Sequence, residues 1–539
     1  MVLARPGLSS NSVFLNVLLV MTDLPVPAIG SPENSTCILA RTIVRRLCIS
    51  SARLLRRGFF PALLCAAAQA RGALPPQIAD ELIRAGLPQD SVAIWVQPVD
   101  SEWPTLTLNA DIPMNPASVM KLVTSFAALD MLGPAYTWRT RFAADAPPGN
   151  GVLDGNLYVV GGGDPVFGYD RLWRVLRQLK DLGVNEIRGD IVLDRSAWNL
   201  PPFDPGAFDG KPMRPYNAGA DALLLNFNAL RLTFVPAERG GPPRLTADPP
   251  IAGLVVDNAL RTENGPCGEW DDRLDAQIAP DGASTRLTIR GAWRDSCGRR
   301  DWHVVPLSPA AYDAGLIEAL WRELGGRLSG RAREGTTPEG TATLLEETSP
   351  PLGDVVRDMN KWSNNVQARI LLASIGAAGG GTPDTVSAGA RTVRLRLAAM
   401  GIGVEGLEIE NGSGLSRTER ITAHSLGQLL EAAWRQPWMP EFISSMAMAG
   451  VDGTARKRLR DSPARGFAHI KTGTLNGARA MAGYVLDSNG RRHVVVMLVN
   501  HPNAWASRAA QDTLLEWVWM ADNAASPATT LTAVPLQRK

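Results

Sequence analysis

The chain has 539 residues, 45% of them hydrophobic and 20% charged, with a formal net charge of +2. That length accommodates two to four domains of roughly 100 to 200 residues and a large buried core. The near-neutral balance, with no basic stripe interleaved with aromatics, speaks against a nucleic-acid partner.

The first seventy residues do not read as part of a fold. A basic cluster, "RRLCISSARLLRRG", runs into the apolar stretch "FFPALLCAAA" and the small-residue site Ala68-Gln69-Ala70. These are the three regions of a secretory signal peptide, displaced inward by roughly forty residues. The expectation is a leader over residues 1–73, a translation start downstream of Met1, cleavage after Ala70 and a periplasmic mature chain. An uncleaved anchor is the alternative, but the apolar run falls short of the ~20 residues a span needs, so at most loose membrane association is expected. Cys37, Cys48 and Cys65 fall in this leader, which leaves Cys267 and Cys297. In an oxidising compartment such a pair is expected as a disulfide, with two free buried thiols as the other possibility.

Beyond the leader, "PPQIADELIRAG" reads as a short helix, and "SVAIWVQPVD" with "TLTLNAD" as a hairpin. An apolar helix containing "NPASVMKLVTSF" follows. From 142 to 342 the chain breaks into short strand-like runs separated by Gly and Pro, such as "GNLYVVGGGDP", "RGDIVLDRSAW" and "TRLTIRGAW". This predicts a mostly-β inserted region of two domains. Helical patterns then return, three strand-like runs follow ("GFAHIKTGTL", "ARAMAGYVLD", "RRHVVVMLVNH"), and an amphipathic helix closes the fold. The expected organisation is an α+β domain over 74–141 and 343–522, interrupted by 142–342, with a disordered tail at 523–539.

Three short patterns carry chemistry. In the first, Asn115 suits a helix N-cap and Pro116 the first helical position, so Ser118 falls in the first turn. Ser118 and Lys121, three apart, share a face. An amine among Val119, Leu122, Val123 and Phe126 is desolvated and favours its neutral, basic form, while the helix dipole favours negative charge on the serine oxygen. Of the seven lysines only this one completes S-x-x-K. Alone, the pattern is also compatible with a lysine that snorkels to the surface. The second, "MNKWSNNVQA", sets Ser363 and Asn365 as S-x-N at a junction of two helices, where a serine can equally be a cap. The third, "AHIKTGTLNG", sets Lys471-Thr472-Gly473 on an edge strand followed by Thr474, a place to bind a carboxylate beside a strand-like peptide.

In series, S-x-x-K, S-x-N and K-T-G resemble the signature of serine penicillin-binding proteins and serine β-lactamases. The 245 residues from Ser118 to Ser363 exceed a compact β-lactamase and match the insert. The chain is similar to the D-alanyl-D-alanine carboxypeptidase/endopeptidase family of low-molecular-mass penicillin-binding proteins, class C type, over about residues 75–520. "GGGDP", "YNAGADALLLNFN" and "ENGSGLSR" add to the likeness. The resemblance implies a β-lactamase/transpeptidase-like domain, an antiparallel sheet flanked by helices, split by the insert. It implies Ser118 as nucleophile, Lys121 as base, the Ser118 and Thr474 amides as oxyanion hole and Ser363 as proton relay. Asn365 would hold the substrate amide, Lys471, Thr472, Gly473 and Thr474 the terminal carboxylate, and Asp209 a charged stem-peptide side chain. Implied partners are peptidoglycan stem peptides, with β-lactam antibiotics as inhibitors, and neither metal nor cofactor. Asn411 stands where the family commonly has Asp, and Asp164 reads as a turn residue. The five histidines show no metal-ligand spacing, and no G-x-S-x-G elbow is present. A β-lactamase of related fold and a noncatalytic wall-binding protein are the other readings.

Overall fold

The computed structural model describes residues 74–237, 241–380 and 383–520. The expected leader with its cleavage point, and the expected tail, lie outside the described residues.

An antiparallel six-stranded sheet organises the half that carries the three motifs, in the order Ala447–Met448, Ala468–Leu475, Ala478–Leu486, Arg492–Asn500, Val92–Pro98 and Leu106–Leu108. Strand alternation divides its side chains between two cores. Ala93, Trp95, Ala482, Tyr484, Val494 and Val496 face the helices Met120–Leu132 and Ala423–Trp434. Val92, Ile94, Met481, Val485, Val495 and Met497 instead pack on the helices Pro76–Arg84 and Arg508–Met520. With helices on both faces, the strand Val92–Pro98 is buried at every residue. The hairpin expected at the N terminus is present, with Ile94 opposite Leu108.

The chain leaves this half through the strand Arg139–Ala144 and returns through Ala342–Thr348, which pair antiparallel. Mutual bonds close the neck: Ser349 Oγ accepts from the Trp138 amide at 3.0 Å, and the Ser349 amide donates to the Trp138 carbonyl at 2.9 Å. Both strands belong to a five-stranded sheet, and between them in sequence lie three three-stranded sheets, ordered 254–263, 284–294, 274–281, then 300–304, 230–235, 244–248, and 327–328, 186–187, 152–153. Within the five-stranded sheet, Leu157–Val160 and Ile191–Asp194 run parallel, connected through the helix Tyr169–Asp181. That helix and Pro309–Glu323 are two elements that reading the region as strand-like runs left out. Both bury one face against the insert's own core, with Leu172, Val175, Leu316 and Trp321 fully enclosed. Cys267 and Cys297 are joined as a disulfide beside the strand Ser284–Arg294. Asp164 is more than a turn residue: it accepts from the Val166 amide at 2.9 Å and pairs, buried, with Arg171 at 2.7 Å.

Candidate active site

The serine is presented by a strained turn. Regular helix begins only at Met120, after a 3-10 turn over Ala117–Val119, so the helix starts later than Asn115 and Pro116 suggest. Asn115 still works locally: its Oδ1 accepts from the Ala117 amide at 2.8 Å and its Nδ2 donates to the Ser416 carbonyl at 2.9 Å. Ala117 has φ +45°, a conformation that costs an L-residue energy and persists where neighbours enforce it. Two glycines do so by close approach. A Cβ at Gly414 would stand 1.9 Å from the Ala117 carbonyl oxygen, and one at Gly473 would stand 2.7 Å from the Ser118 amide nitrogen. Gly473 is therefore where the K-T-G strand seats against the turn that carries Ser118.

The S-x-N segment follows a similar local logic. The helix Leu352–Trp362 ends at Ser363, which adopts the left-handed conformation with φ 60°. Asn364 caps the next helix, its Oδ1 accepting from the Val366 and Gln367 amides at 3.0 and 3.1 Å. Asn365 is then the first helical residue, aimed inward. The reversal leaves Ser363 at the junction with its hydroxyl free to face the cleft.

Three segments hundreds of residues apart meet here. Lys121 Nζ lies 3.0 Å from Ser118 Oγ and donates to Asn365 Oδ1 at 2.6 Å and to the Ser413 carbonyl. Lys471 Nζ donates to Ser363 Oγ at 2.9 Å and to the Thr472 carbonyl at 2.8 Å. Both lysines are fully buried. Burial, then the charges of Lys471 and Arg369, hold the Lys121 ammonium well below its ordinary range, with Glu419 opposing. Burial lowers Lys471 to about 7. Ser118, Ser363, Thr472 and Thr474 line one cavity of about 450 Å³, and Thr472 Oγ1 lies 3.1 Å from Thr454 Oγ1.

Asp209 is exposed and does not line that cavity. Its carboxylate accepts from the Tyr216 hydroxyl and the Asn217 side chain at 2.8 Å each, and from the Lys211 amide at 3.0 Å. The loop it braces reaches the site through the Tyr216 carbonyl, which accepts from Asn365 Nδ2 and Arg369 Nη1, each at 3.2 Å.

Several contributors were not apparent in the sequence. Ser413 offers Lys121 a carbonyl, and the buried Glu419 holds that loop by accepting from the amides of Glu410, Asn411 and Gly412 through one oxygen. Asn411 accepts from Ser413 Oγ at 2.6 Å and donates to the Leu415 carbonyl at 3.0 Å. An aspartate could not make the second bond. Arg456, Lys457, Arg458, Arg479 and Arg508 also line the cavity; the run "ARKRLR" at 455–460 was their one visible sign. Among the described residues no cluster of His, Cys, Asp or Glu could hold a metal ion, and no helix is long and apolar enough to cross a membrane.

The model of the D-Ala-D-Ala carboxypeptidase 3 (S13) family matches residues 74–520. A D-alanyl-D-alanine carboxypeptidase of Actinomadura sp. is 29% identical over 415 residues, covering 74% of this chain and 76% of that protein. The D-alanyl-D-alanine carboxypeptidase DacB of Haemophilus influenzae is 26% identical over 402 residues, 73% of this chain and 81% of its own. The crystal structure of penicillin binding protein 4 from Haemophilus influenzae superimposes with a TM-score of 0.69 at 22% identity, covering 81% of this chain and 99% of that one. That likeness establishes a shared fold.

Proposed function

The chain belongs to the D-Ala-D-Ala carboxypeptidase 3 (S13) family, and from that premise we propose that it is a serine D-alanyl-D-alanine carboxypeptidase and endopeptidase of peptidoglycan stem peptides, acting outside the cytoplasm in the periplasm. The supporting observation is the convergence of Ser118, Lys121, Ser363, Asn365 and Lys471 at hydrogen-bond distances around one cavity.

Lys121 has two committed acceptors, Asn365 Oδ1 and the Ser413 carbonyl. A neutral amine has two N–H bonds to give them and one lone pair left, which faces Ser118 Oγ. Lys121 takes the serine proton as Ser118 Oγ bonds to the carbonyl carbon between the last two residues. The developing oxyanion is held by the amides of Ser118 and Thr474; losing one such donor typically costs ~10² to 10³ in rate. The C–N bond then breaks, and the leaving amine receives its proton through Ser363, whose hydroxyl is oriented by Lys471. Thr472 and Thr474, with the Lys471 charge behind them, bind the carboxylate of the departing residue, and Asn365 orients the substrate amide. Water attacks the ester, returns the proton to Ser118 and frees the enzyme. The chemistry uses no metal or cofactor.

A β-lactam fits the same cleft, as its strained amide and carboxylate copy those of the peptide. Fluorescent penicillin is expected to label the protein at Ser118 and leave Ser118→Ala unlabelled, with D-alanine release from a pentapeptide lost in parallel. Labelling that survives Ser118→Ala would overturn the nucleophile.

A further inference from the structure

The cavity at Ser118 is walled on one side by Arg456, Lys457, Arg458, Arg479 and Arg508, and among the described residues no acidic side chain lines it. Asp512 is the carboxylate paired with this group, to Arg458 at 2.6 Å and to Arg508 at 3.7 Å. The remaining bonds go to neutral acceptors: Arg479 Nη1 to the Trp505 carbonyl at 2.9 Å, and Arg508 Nη2 to the Lys457 carbonyl at 2.6 Å. Among the described residues the exposed side chains of Arg456 and Lys457 have no ion-pair partner. Burial, then Arg458 and Arg508, depress the Arg479 guanidinium. Five cations against one carboxylate repel one another across a shared concavity, and a concave wall of one sign concentrates ligands of the other.

Position decides what kind of anion. Thr472 and Thr474, which in the proposed reaction hold the carboxylate of the departing residue, line the same cavity as these cations. The Asp209 loop meets Asn365 from outside it. The wall therefore lies beyond the scissile bond, on the side of the leaving group. A departing D-alanine brings one carboxylate, which the threonines and Lys471 already serve. In a cross-linked substrate the departing amine belongs to a second stem peptide, which bears a carboxylate beside that amine and others along its length. We infer that Arg456, Lys457 and Arg479, flanked by Arg508 and with the buried Arg458 behind them, form a leaving-strand subsite for a polyanionic peptide, so that the enzyme favours cleaving cross-links over trimming terminal D-alanine. The inference rests on the proposed reaction at Ser118.

The test compares two substrates, a monomeric pentapeptide and a purified cross-linked stem dimer, with wild type, Arg456→Gln/Lys457→Gln and Arg479→Gln. The ratio of kcat/KM for dimer over monomer is expected to fall about three- to tenfold in each variant, mainly through KM. In wild type the same ratio is expected to shrink as salt is raised through the screening range. Arg456 and Lys457 are exposed, so their double variant keeps the test open if Arg479→Gln folds poorly. Wild type that is acylated by penicillin at Ser118 but shows a ratio indifferent to salt and to all three charges overturns the subsite and leaves the reaction standing. Wild type that penicillin does not acylate overturns the reaction, and the subsite with it.

Discussion

In the inserted region Arg195 lies 2.7 Å from both Asp221 and Asp313, and Arg171 lies 2.7 Å from Asp164 and 2.8 Å from Glu347. At the active site Lys121, Lys471 and Arg369 are buried as deeply, yet none forms an ion pair among the described residues; their partners are hydroxyls, an amide and carbonyls. Both clusters carry cations into a low-dielectric interior, which costs several kcal/mol per ion unless compensated. The insert sets carboxylates beside its guanidiniums, which hold Arg171 and Arg195 charged, while burial pushes the Asp313 carboxyl up to about 8. The site leaves its amines uncompensated, so they are driven toward neutrality, the form the proposed base at Lys121 requires. On the proposed reading, a buried cation with an acid beside it serves structure here, and a buried amine without one serves chemistry.

Removing one member from each cluster should separate the two most widely. Lys121→Met keeps the length and apolar stem but deletes the base, and penicillin acylation is expected to slow by about 10²- to 10⁴-fold, as read by stopped-flow quenching. Its denaturation midpoint should change less than that of Asp313→Ala, since Met removes the cost of burying the amine even as Asn365 and Ser413 lose a donor. Asp313→Ala should do the reverse. It removes one of the three carboxylates around Arg195, the one wholly buried, and is expected to destabilise by about 3 to 5 kcal/mol, while the folded fraction acylates within about twofold of wild type. If Lys121→Met acylates normally, or Asp313→Ala costs activity before stability, the division between the clusters fails.

The disulfide sharpens the same contrast, because it belongs wholly to the insert. Reducing Cys267–Cys297, thirty residues apart in sequence, should remove up to ~3 to 4 kcal/mol from the unfolding free energy. Labelling at Ser118 is expected to persist under conditions where the protein remains folded.

The pH dependence follows from the site's uncompensated amines. Lys471 sits near 7 through burial, and its charged form is the one that attracts a substrate carboxylate. Above about pH 7 the free enzyme increasingly holds it neutral, so kcat/KM for a carboxylate-bearing peptide should fall, approaching tenfold per unit. The falling limb of kcat should lie higher, because bound carboxylate favours the ammonium. For stability the sign is opposite. The folded lysine is lowered below its unfolded value near 10.5, so between about 7 and 10.5 the unfolded chain binds more protons, and this group's contribution to stability rises with pH. Lys471→Met should flatten both trends.

The sequence made the site's reactive groups legible and its supports illegible, for a physical reason. Ser118, Lys121, Ser363, Asn365 and Lys471 are fixed by spacings within single turns or strands, which one segment records. Glu419 and the Ser413 carbonyl act through backbone atoms of a loop whose approach to Lys121 is purely tertiary. The cationic wall gathers residues 456–458, 479 and 508 from separate elements, so only the run at 455–460 left a local trace. In the fold, the catalytic strands stood out because alternating burial on two helical layers makes them continuously apolar. The insert's helix Tyr169–Asp181 was lost among short strand signals. Its four basic residues interrupt the apolar pattern, with Arg174 and Arg177 exposed and Arg171 buried against Asp164, although Leu172, Val175, Leu176 and Leu179 keep a helical stripe.

The smallest effect comes from Asp209, where the two regions touch. Its bonds to Tyr216, Asn217 and Lys211 hold the loop whose carbonyl receives Asn365 and Arg369. Burial and then Asp209 push the Tyr216 hydroxyl up to about 12, so the phenol stays a donor throughout the working range. Asp209→Asn can still accept from the Lys211 amide but presents an amino group toward Tyr216. Exchange of that charge-assisted bond for a neutral amide-to-phenol one should raise KM for stem peptides about two- to fivefold and alter penicillin acylation by less than that. Tyr216→Phe distinguishes bracing from recognition, since it deletes the same bond and keeps the carboxylate. If both variants lose equally on every substrate, Asp209 braces the loop and nothing more. If Asp209→Asn loses selectively on peptides with a cationic third side chain while Tyr216→Phe does not, the carboxylate reads the substrate, and the insert supplies specificity to a catalytic centre made by the other half of the chain.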